Sequence, residues 1–250
     1  MRSALHPIAS ISITLFRFVA FALALDSLAL AQGDLFPGHV YPVGYYPNTV
    51  EIADLNGDGF RDVIVGRFQD SPVAFFMNNG AGQFTPAGSV AVPGGTGDLL
   101  MADMTNDGIP DLVATGRLIN QVFVFPAFGG GSFGAPISTP TGNYPGRVAA
   151  ADFDLDGNLD LAFTTGYAPY LTVFFGNGAG GFPAQTTFPN IPANTAVAAG
   201  DVNADGLPDL LTADFYGQQL ELILGLPGAA SQLPRRMHRG RGPPTWRSST

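Results

Sequence analysis

The chain has 250 residues, with 11 arginines, 20 acidic residues, no lysine and no cysteine, for a formal net charge of −9. That composition excludes disulfides, thiolate metal sites and every Schiff-base, lysine-base or P-loop mechanism, and the acidic balance argues against a nucleic-acid partner. Hydrophobic content of 46% is enough for a sizeable core, while 33 glycines and 21 prolines favour short strands and turns over long helices.

The first segment reads as an export signal. Arg2 and Arg17 precede an apolar run over residues 18–25, and Ala29-Leu30-Ala31 has the small-x-small form of a cleavage site before Gln32. Asp26 interrupts the run, which is short for a membrane span, so residues 1–31 are expected to be removed. The mature protein is then expected to be secreted or extracytoplasmic (cell surface or periplasm), with no membrane span.

Residues 32–233 form the next region, and it is nearly all repeat. Residues 34–43 resemble the last part of a repeat unit with nothing before it. A nine-residue acidic loop then recurs at Asp54, Asp103, Asp152 and Asp201, a spacing of 49 residues each time. Thirteen of the 20 acidic residues lie in these four loops, a concentration that repels itself without a counter-ion. A short apolar segment leads into each loop, at residues 50–53, 99–102, 148–151 and 196–199. A second leaves it at 63–65, 112–114, 161–163 and 210–212, and a third follows at 73–76, 122–125, 171–175 and 220–224. Glycine-rich turns lead to a fourth, more polar segment beginning at Phe84, Phe133 and Phe182. These runs are short, rich in β-branched and aromatic types, and bounded by Gly, Pro and Asn, which predicts strands. Four strands per unit of about 50 residues is the size of a propeller blade.

The expected fold is therefore all-β: a β-propeller of four-stranded antiparallel blades, in four repeats. The last unit has its first three strands but departs from the repeat at Leu226, so the N-terminal strand is expected to complete the last blade. Residues 234–250 hold five arginines with no strand pattern and are expected to be a basic disordered tail.

The loops and turns together resemble FG-GAP repeats of integrin α-subunits and the related bacterial VCBS-type repeats. Phe133-Gly134-Ala135-Pro136 spells the motif, and Asn79-Gly80-Ala81-Gly82-Gln83-Phe84 and Asn177-Gly178-Ala179-Gly180-Gly181-Phe182 are the bacterial form of the same turn. The resemblance covers about residues 35–225 and implies a propeller with one calcium ion in each loop, up to four. It departs in number, since integrin propellers have seven blades and this chain encodes four. Closure as a small ring, assembly into a homo-oligomer and membership of a larger array all stay open.

Matching loop positions 1, 3, 5, 7 and 9 gives the ligand sets. The first is Asp54, Asn56, Asp58, the Phe60 carbonyl and Asp62; the second is Asp103, Thr105, Asp107, the Ile109 carbonyl and Asp111. The third is Asp152, Asp154, Asp156, the Asn158 carbonyl and Asp160; the fourth is Asp201, Asn203, Asp205, the Leu207 carbonyl and Asp209. All are oxygen donors, which selects a hard cation, and flexible carboxylate-rich loops suit Ca²⁺ better than Mg²⁺. Four carboxylates make the third site the tightest and Thr105 makes the second the weakest. An EF-hand is excluded because position 12 is Val65, Ala114, Phe163 or Thr212, never Glu. Turn capping alone needs one or two such residues, not four at fixed spacing.

In an up-and-down blade the loops between strands two and three, and between blades, lie at the end opposite the acidic loops. Tyr45, Tyr46, Tyr144, Tyr167, Tyr170 and Tyr216 fall there with Arg67, Arg117 and Arg147. Tyr and Arg on loops over a rigid scaffold make a recognition surface for an extracellular glycan or protein, or else wedge between blades. Catalytic material is poor: His39 stands alone, and carboxylate pairs drawn from Asp70, Asp98, Asp214 or Glu221 have no defined spacing. The sequence therefore reads as a non-catalytic binding or adhesion module. A polysaccharide lyase or hydrolase, and a structural module of a larger assembly, are the alternatives.

Overall fold

The structure, a computed structural model, describes residues 39–69, 72–142, 144–166, 168–189, 191, 196–214, 219–225 and 235–237. It divides into a unit of residues 1–41 and a unit of residues 42–250, and among the described residues every strand lies in the second. Residues 1–31, Asp34 and Phe36 of the N-terminal segment, Asp70, Tyr167, Tyr216 and residues 238–250 lie outside the described residues.

Four antiparallel sheets follow one another in sequence, each strand pairing with the next. The first holds β1 (Pro47–Ala53), β2 (Asp62–Arg67), β3 (Val73–Asn78) and β4 (Phe84–Val90). The second holds β5 (Thr96–Ala102), β6 (Asp111–Gly116), β7 (Gln121–Phe125) and β8 (Ile137–Pro140). The third holds β9 (Pro145–Ala151), β10 (Asp160–Thr165), β11 (Tyr170–Phe175) and β12 (Ala184–Pro189). The fourth holds β13 (Ala196–Gly200), β14 (Asp209–Asp214), β15 (Gln219–Leu224) and β16 (Arg235–Met237). First strands meet across sheets, β1 with β5, β5 with β9 and β9 with β13, as in successive propeller blades. Among the described residues no helix is long and apolar enough to cross a membrane.

The apolar pattern explains where the core sits. β6 and β10 are buried on both faces along their whole length, so apolar residues stand at consecutive positions, 112–114 and 161–163, without alternation. They are second strands of interior sheets, each lying between two other sheets. The core is accordingly three layers between sheets. Ile64, Val73 and Phe75 meet Leu99, Leu112 and Phe123 in the first layer. Val113, Val122 and Val124 meet Leu161, Phe163 and Phe174 in the second. Ala162, Leu171 and Val173 meet Leu210 and Ile223 in the third. Phe163 and Phe174 are fully buried and meet edge to face at 4.8 Å, and burying each ring contributes about 1.5–3 kcal/mol.

Two expectations are corrected. The place beside β15 is taken by β16, not by the N-terminal segment: Leu222, Ile223 and Leu224 pair with Met237, Arg236 and Arg235. Those three residues belong to the stretch read as a disordered tail. Their sequence carries no alternation, and what recruits them is the row of backbone donors and acceptors along the edge of β15. The other correction is smaller. Phe133 and Phe182 precede their fourth strands, which begin at Ile137 and Ala184. The two rings instead turn into the core, against Phe75 at 5.1 Å and Phe174 at 5.7 Å.

Candidate metal centres

Each acidic loop joins the first and second strands of its sheet and is shaped by its own carboxylates. Position 1 accepts from the glycine N–H at position 6 in every copy: Gly59 to Asp54, Gly108 to Asp103 and Gly157 to Asp152 at 2.9 Å, and Gly206 to Asp201 at 2.8 Å. That glycine sits at φ 85–91° in all four loops, in the left-handed region that side chains disfavour. Position 5 accepts from the N–H of position 7, at 2.8 Å for Phe60, Ile109 and Asn158 and 2.9 Å for Leu207. The chain is thereby wound around the side chains of positions 1, 3 and 5.

Position 9 does different work. Asp62, Asp111, Asp160 and Asp209 are fully buried. One oxygen of each accepts from the backbone N–H of position 2, at 2.8–3.0 Å for Leu55, Met104, Phe153 and Val202. The other accepts from the N–H that begins the turn after the third strand, at 2.7–2.8 Å for Asn78, Ala127, Gly176 and Gly225. These aspartates lock the acidic loop to the neighbouring glycine-rich turn. Each oxygen has a second lone pair, so the same group retains capacity for a cation.

The third loop concentrates charge. Asp152, Asp154 and Asp156 bring one oxygen each within 4.8 Å of one another. In the first and fourth loops the position-3 amide relieves this, since Asn56 donates to Asp58 at 3.0 Å and Asn203 to Asp205 at 2.9 Å. Asp154 is a carboxylate at that position and donates nothing in its ionised form. Its pKa is raised by burial and then by Asp156. Asp160 is pushed up to about 6, chiefly by burial, against the backbone donors Gly176 and Phe153. Burial also raises Asp111. In the open loops the sign reverses: the Gly59 N–H lowers Asp54 and the Gly206 N–H lowers Asp201. The donor set fits a hard divalent cation in the third loop. In the second, Thr105 Oγ1 is buried and makes no hydrogen bond of ordinary geometry, although it lies close enough to Asp111 to favour its ionised form.

At the opposite end the structure separates residues with a job in the fold from exposed ones. Arg67 donates twice to the Pro72 carbonyl, at 2.9 and 2.7 Å, closing the turn between β2 and β3. The Arg117 guanidinium lies over Phe68 at 5.3 Å and Tyr144 at 4.6 Å, tying three successive sheets by cation–π contact. Tyr144 is held at φ 59°, its N–H donating to Asn120 Oδ1 at 2.8 Å. The Tyr170 ring packs against Gly142. Tyr45 and Tyr46 remain open, at 83% and 62% exposure, with ring centroids 6.4 Å apart.

Two devices escaped the sequence reading. Thr49 and Arg147 both donate to Asp98 at 3.1 Å, as does the Val148 N–H, linking β1, β5 and β9. Thr49, Asp98 and Arg147 share one position of the 49-residue repeat, so the register would have exposed them had unlike residues been aligned. The carboxylate weighed for hydrolysis is thus committed to this link, and Glu221 is buried. The other device joins sheets at the loop end. Gly131 N–H donates to the Leu55 carbonyl at 2.7 Å and Gly180 N–H to the Met104 carbonyl at 2.9 Å, each turn seating on the acidic loop of the preceding sheet.

The FG-GAP-like repeat family matches residues 54–114, 103–163 and 156–212. No curated protein sequence matches the chain. Among solved structures, the chain is similar to an Agrocybe aegerita lectin described for specific recognition of non-reducing terminal N-acetylglucosamine, at 21% identity and TM-score 0.51, covering 78% of this chain and 50% of the lectin. It is also similar to BBS1N in complex with ARL6DN, at 13% identity and TM-score 0.50, covering 74% of this chain and 55% of the other. These neighbours are β-propeller proteins, and at such identities the likeness concerns the fold. The chain spans about half the length of the two structures.

Proposed function

The chain belongs to the FG-GAP-like repeat family, and from that membership we propose that it is a calcium-stabilised, non-catalytic binding module acting outside the cytoplasm on a glycan or protein ligand. The observation that carries the calcium part is the Asp152, Asp154 and Asp156 cluster, three oxygens within 4.8 Å on a loop whose backbone is already wound around them. Ionised together they repel, and a divalent cation bound there would neutralise them. Asp160 stands behind them as the anchor that keeps loop and turn in register. Loops one, two and four offer the same oxygen chemistry with fewer charges, through Asp54 and Asp58, Asp103 and Asp107, and Asp201 and Asp205. The role of the ion is structural: it would fix the loops and neutralise their charge.

For the ligand, the support is the lectin-like fold together with Tyr45 and Tyr46, the two tyrosines of the proposed face that are most open among those described. Flat exposed aromatic rings suit the apolar faces of a sugar as well as a protein loop. Arg117 and Tyr144 hold sheets together, the wedging role that the sequence left open beside recognition.

Calcium titration of a chelator-stripped sample, followed by calorimetry and thermal melting, tests the first half. Heat of binding and a rise in Tm are expected, with Asp154→Asn weakening the tightest site; a silent titration sinks it. A glycan array read with Tyr45→Ala and Tyr46→Ala tests the second half. Binding lost at unchanged Tm is expected, and binding that survives both substitutions removes the tyrosines from the site.

A further inference from the structure

The third loop relieves its charge by a different route from the first and fourth. In those two, the second carboxylate oxygen at position 5 takes its donor from position 3: Asn56 donates to Asp58 at 3.0 Å and Asn203 to Asp205 at 2.9 Å. In the third loop position 3 is Asp154, which has no donor when ionised. The donor comes from position 7 instead. Asn158 Nδ2 donates to Asp156 Oδ2 at 2.9 Å, while the Asn158 backbone N–H donates to Asp156 Oδ1 at 2.8 Å. One residue thus holds both oxygens of Asp156, and position 3 can be a carboxylate.

An amide can do this in only one of its two orientations. Turned over, Asn158 would present Oδ1 to Asp156, and two acceptors would face each other. What holds the orientation comes from another sheet. Asn106, position 4 of the second loop, donates its Nδ2 to Asn158 Oδ1 at 2.6 Å, across 52 residues of chain. The corresponding pairs between the other loops are Gly57 with Ile109 and Leu155 with Leu207, which have no side-chain amide. The bridge also has a place made for it. A Cβ on Gly178 would run into Asn158 Oδ1 and lie 2.5 Å from Asn106 Nδ2, whereas one on its repeat equivalent Gly129 meets nothing. The same turn donates from the Gly180 N–H to the Met104 carbonyl of the second loop and from the Gly176 N–H to Asp160 of the third. Asn106 itself sits between Thr105 and Asp107, positions 3 and 5 of the second ligand set.

We propose, on the basis of the calcium reading above, that Asn106 and Asn158 are positioning residues of the third metal centre and that they couple it to the second. Asn158 orients Asp156, and Asn106 orients Asn158. Ordering of the second loop around a divalent cation fixes Asn106, and through Asn158 this steadies Asp156. By linkage, filling the third loop strengthens the second by the same factor. The bridge is exposed to water, so the coupling has the size of one hydrogen bond, about two- to tenfold in affinity.

The test is calcium titration of the chelator-stripped full chain by calorimetry. Asn106→Gly installs the residue of the first loop at that position and keeps the left-handed backbone, now at φ 55°. Asn158→Leu installs the residue of the fourth loop and keeps the ligand carbonyl. Each is expected to weaken the tightest calcium site about two- to tenfold with every carboxylate in place. The two together should weaken it no more than Asn158→Leu alone, because Asn106 acts through Asn158. Gly178→Ala should weaken that site as well, while Gly129→Ala, made at a similar φ of 76° against 66°, should leave it at the parent's value. Asp103→Asn, which disables the second loop, should lower the affinity of the tightest site in the parent and not in Asn106→Gly; Asp107→Asn serves if that variant does not fold. A parent that gives no heat of binding sinks the calcium reading itself. Calcium binding whose tightest affinity is unchanged in Asn106→Gly and Asn158→Leu overturns this inference alone. Equal losses in Gly178→Ala and Gly129→Ala overturn it in favour of turn strain, and a loss from Asp103→Asn that persists undiminished in Asn106→Gly overturns the coupling.

Discussion

The interior sheets and the flanking sheets are built from the same repeat, yet their side chains live in different surroundings. β10 is buried from end to end, while β1 alternates between exposed and partly buried positions. Phe163 in the third sheet has no exposure, and Leu220 in the fourth has 65%. Both are apolar residues within strands. The difference teaches that a strand in this architecture is not intrinsically a core strand. It becomes one only when a sheet lies on each side of it, so inter-sheet layers and not individual sheets are the units that carry stability.

That contrast can be broken by substitution. Phe163→Ala removes a buried ring that meets Phe174 edge to face and is expected to cost about 3–5 kcal/mol in urea unfolding. Leu220→Ala, measured on dilute protein, is expected to stay within about 0.5 kcal/mol. Equal costs would show that burial in the interior adds nothing.

The loops sharpen it through pH. Burial pushes the Asp160 carboxyl up to about 6, above the ordinary 3.8 of an aspartate, so its contribution to stability is present below the unfolded pKa and is lost as pH rises through the folded one. Asp54 and Asp201 have lowered folded values, so theirs is present above the unfolded pKa and lost as pH falls through the folded one. In chelator, Tm should therefore fall from pH 4 to pH 6.5 by an amount that Asp160→Asn reduces. Calcium should raise Tm more above that window than below it, where Asp160 holds a proton. A variant with the parent's slope would place the titration elsewhere.

The smallest expected difference lies in the glycine turns. Gly82 and Gly131 have φ of 73° and 75°, so alanine strains both backbones alike. A Cβ on Gly131 would also meet the Met77 methyl at 2.5 Å, whereas one on Gly82 meets nothing. Gly131→Ala is expected to cost about 1 kcal/mol more than Gly82→Ala by denaturant midpoint. Identical costs would mean that the turn does not seat on the preceding sheet.

The acidic loops were readable because their requirements are local. Carboxylates at positions 1 and 5 and glycine at position 6 satisfy hydrogen bonds inside nine residues, and those bonds are present in all four copies. The role of position 9 was not readable, because its second partner lies 16 residues away across the sheet. Whether Arg117 and Tyr144 recognise a ligand or wedge between blades stayed open in the sequence for the same reason: their contact with one another crosses sheets and leaves no trace in either neighbourhood. The fourth strand of the last sheet was misassigned because a strand of three residues is recruited by an edge and not by its own pattern.

By itself the sequence determined the repeat, the first three strands of every sheet and the oxygen-rich loops between them, since period-two apolar runs, turn glycines and self-satisfying carboxylates act over a few residues. Only the tertiary structure decided which apolar positions are core, which tyrosines are open and which chain segment completes the fourth sheet. Val50 and Leu99 are interchangeable as letters in a strand. They differ because burial is a property of the sheet that lies opposite, and that sheet is some fifty residues away along the chain.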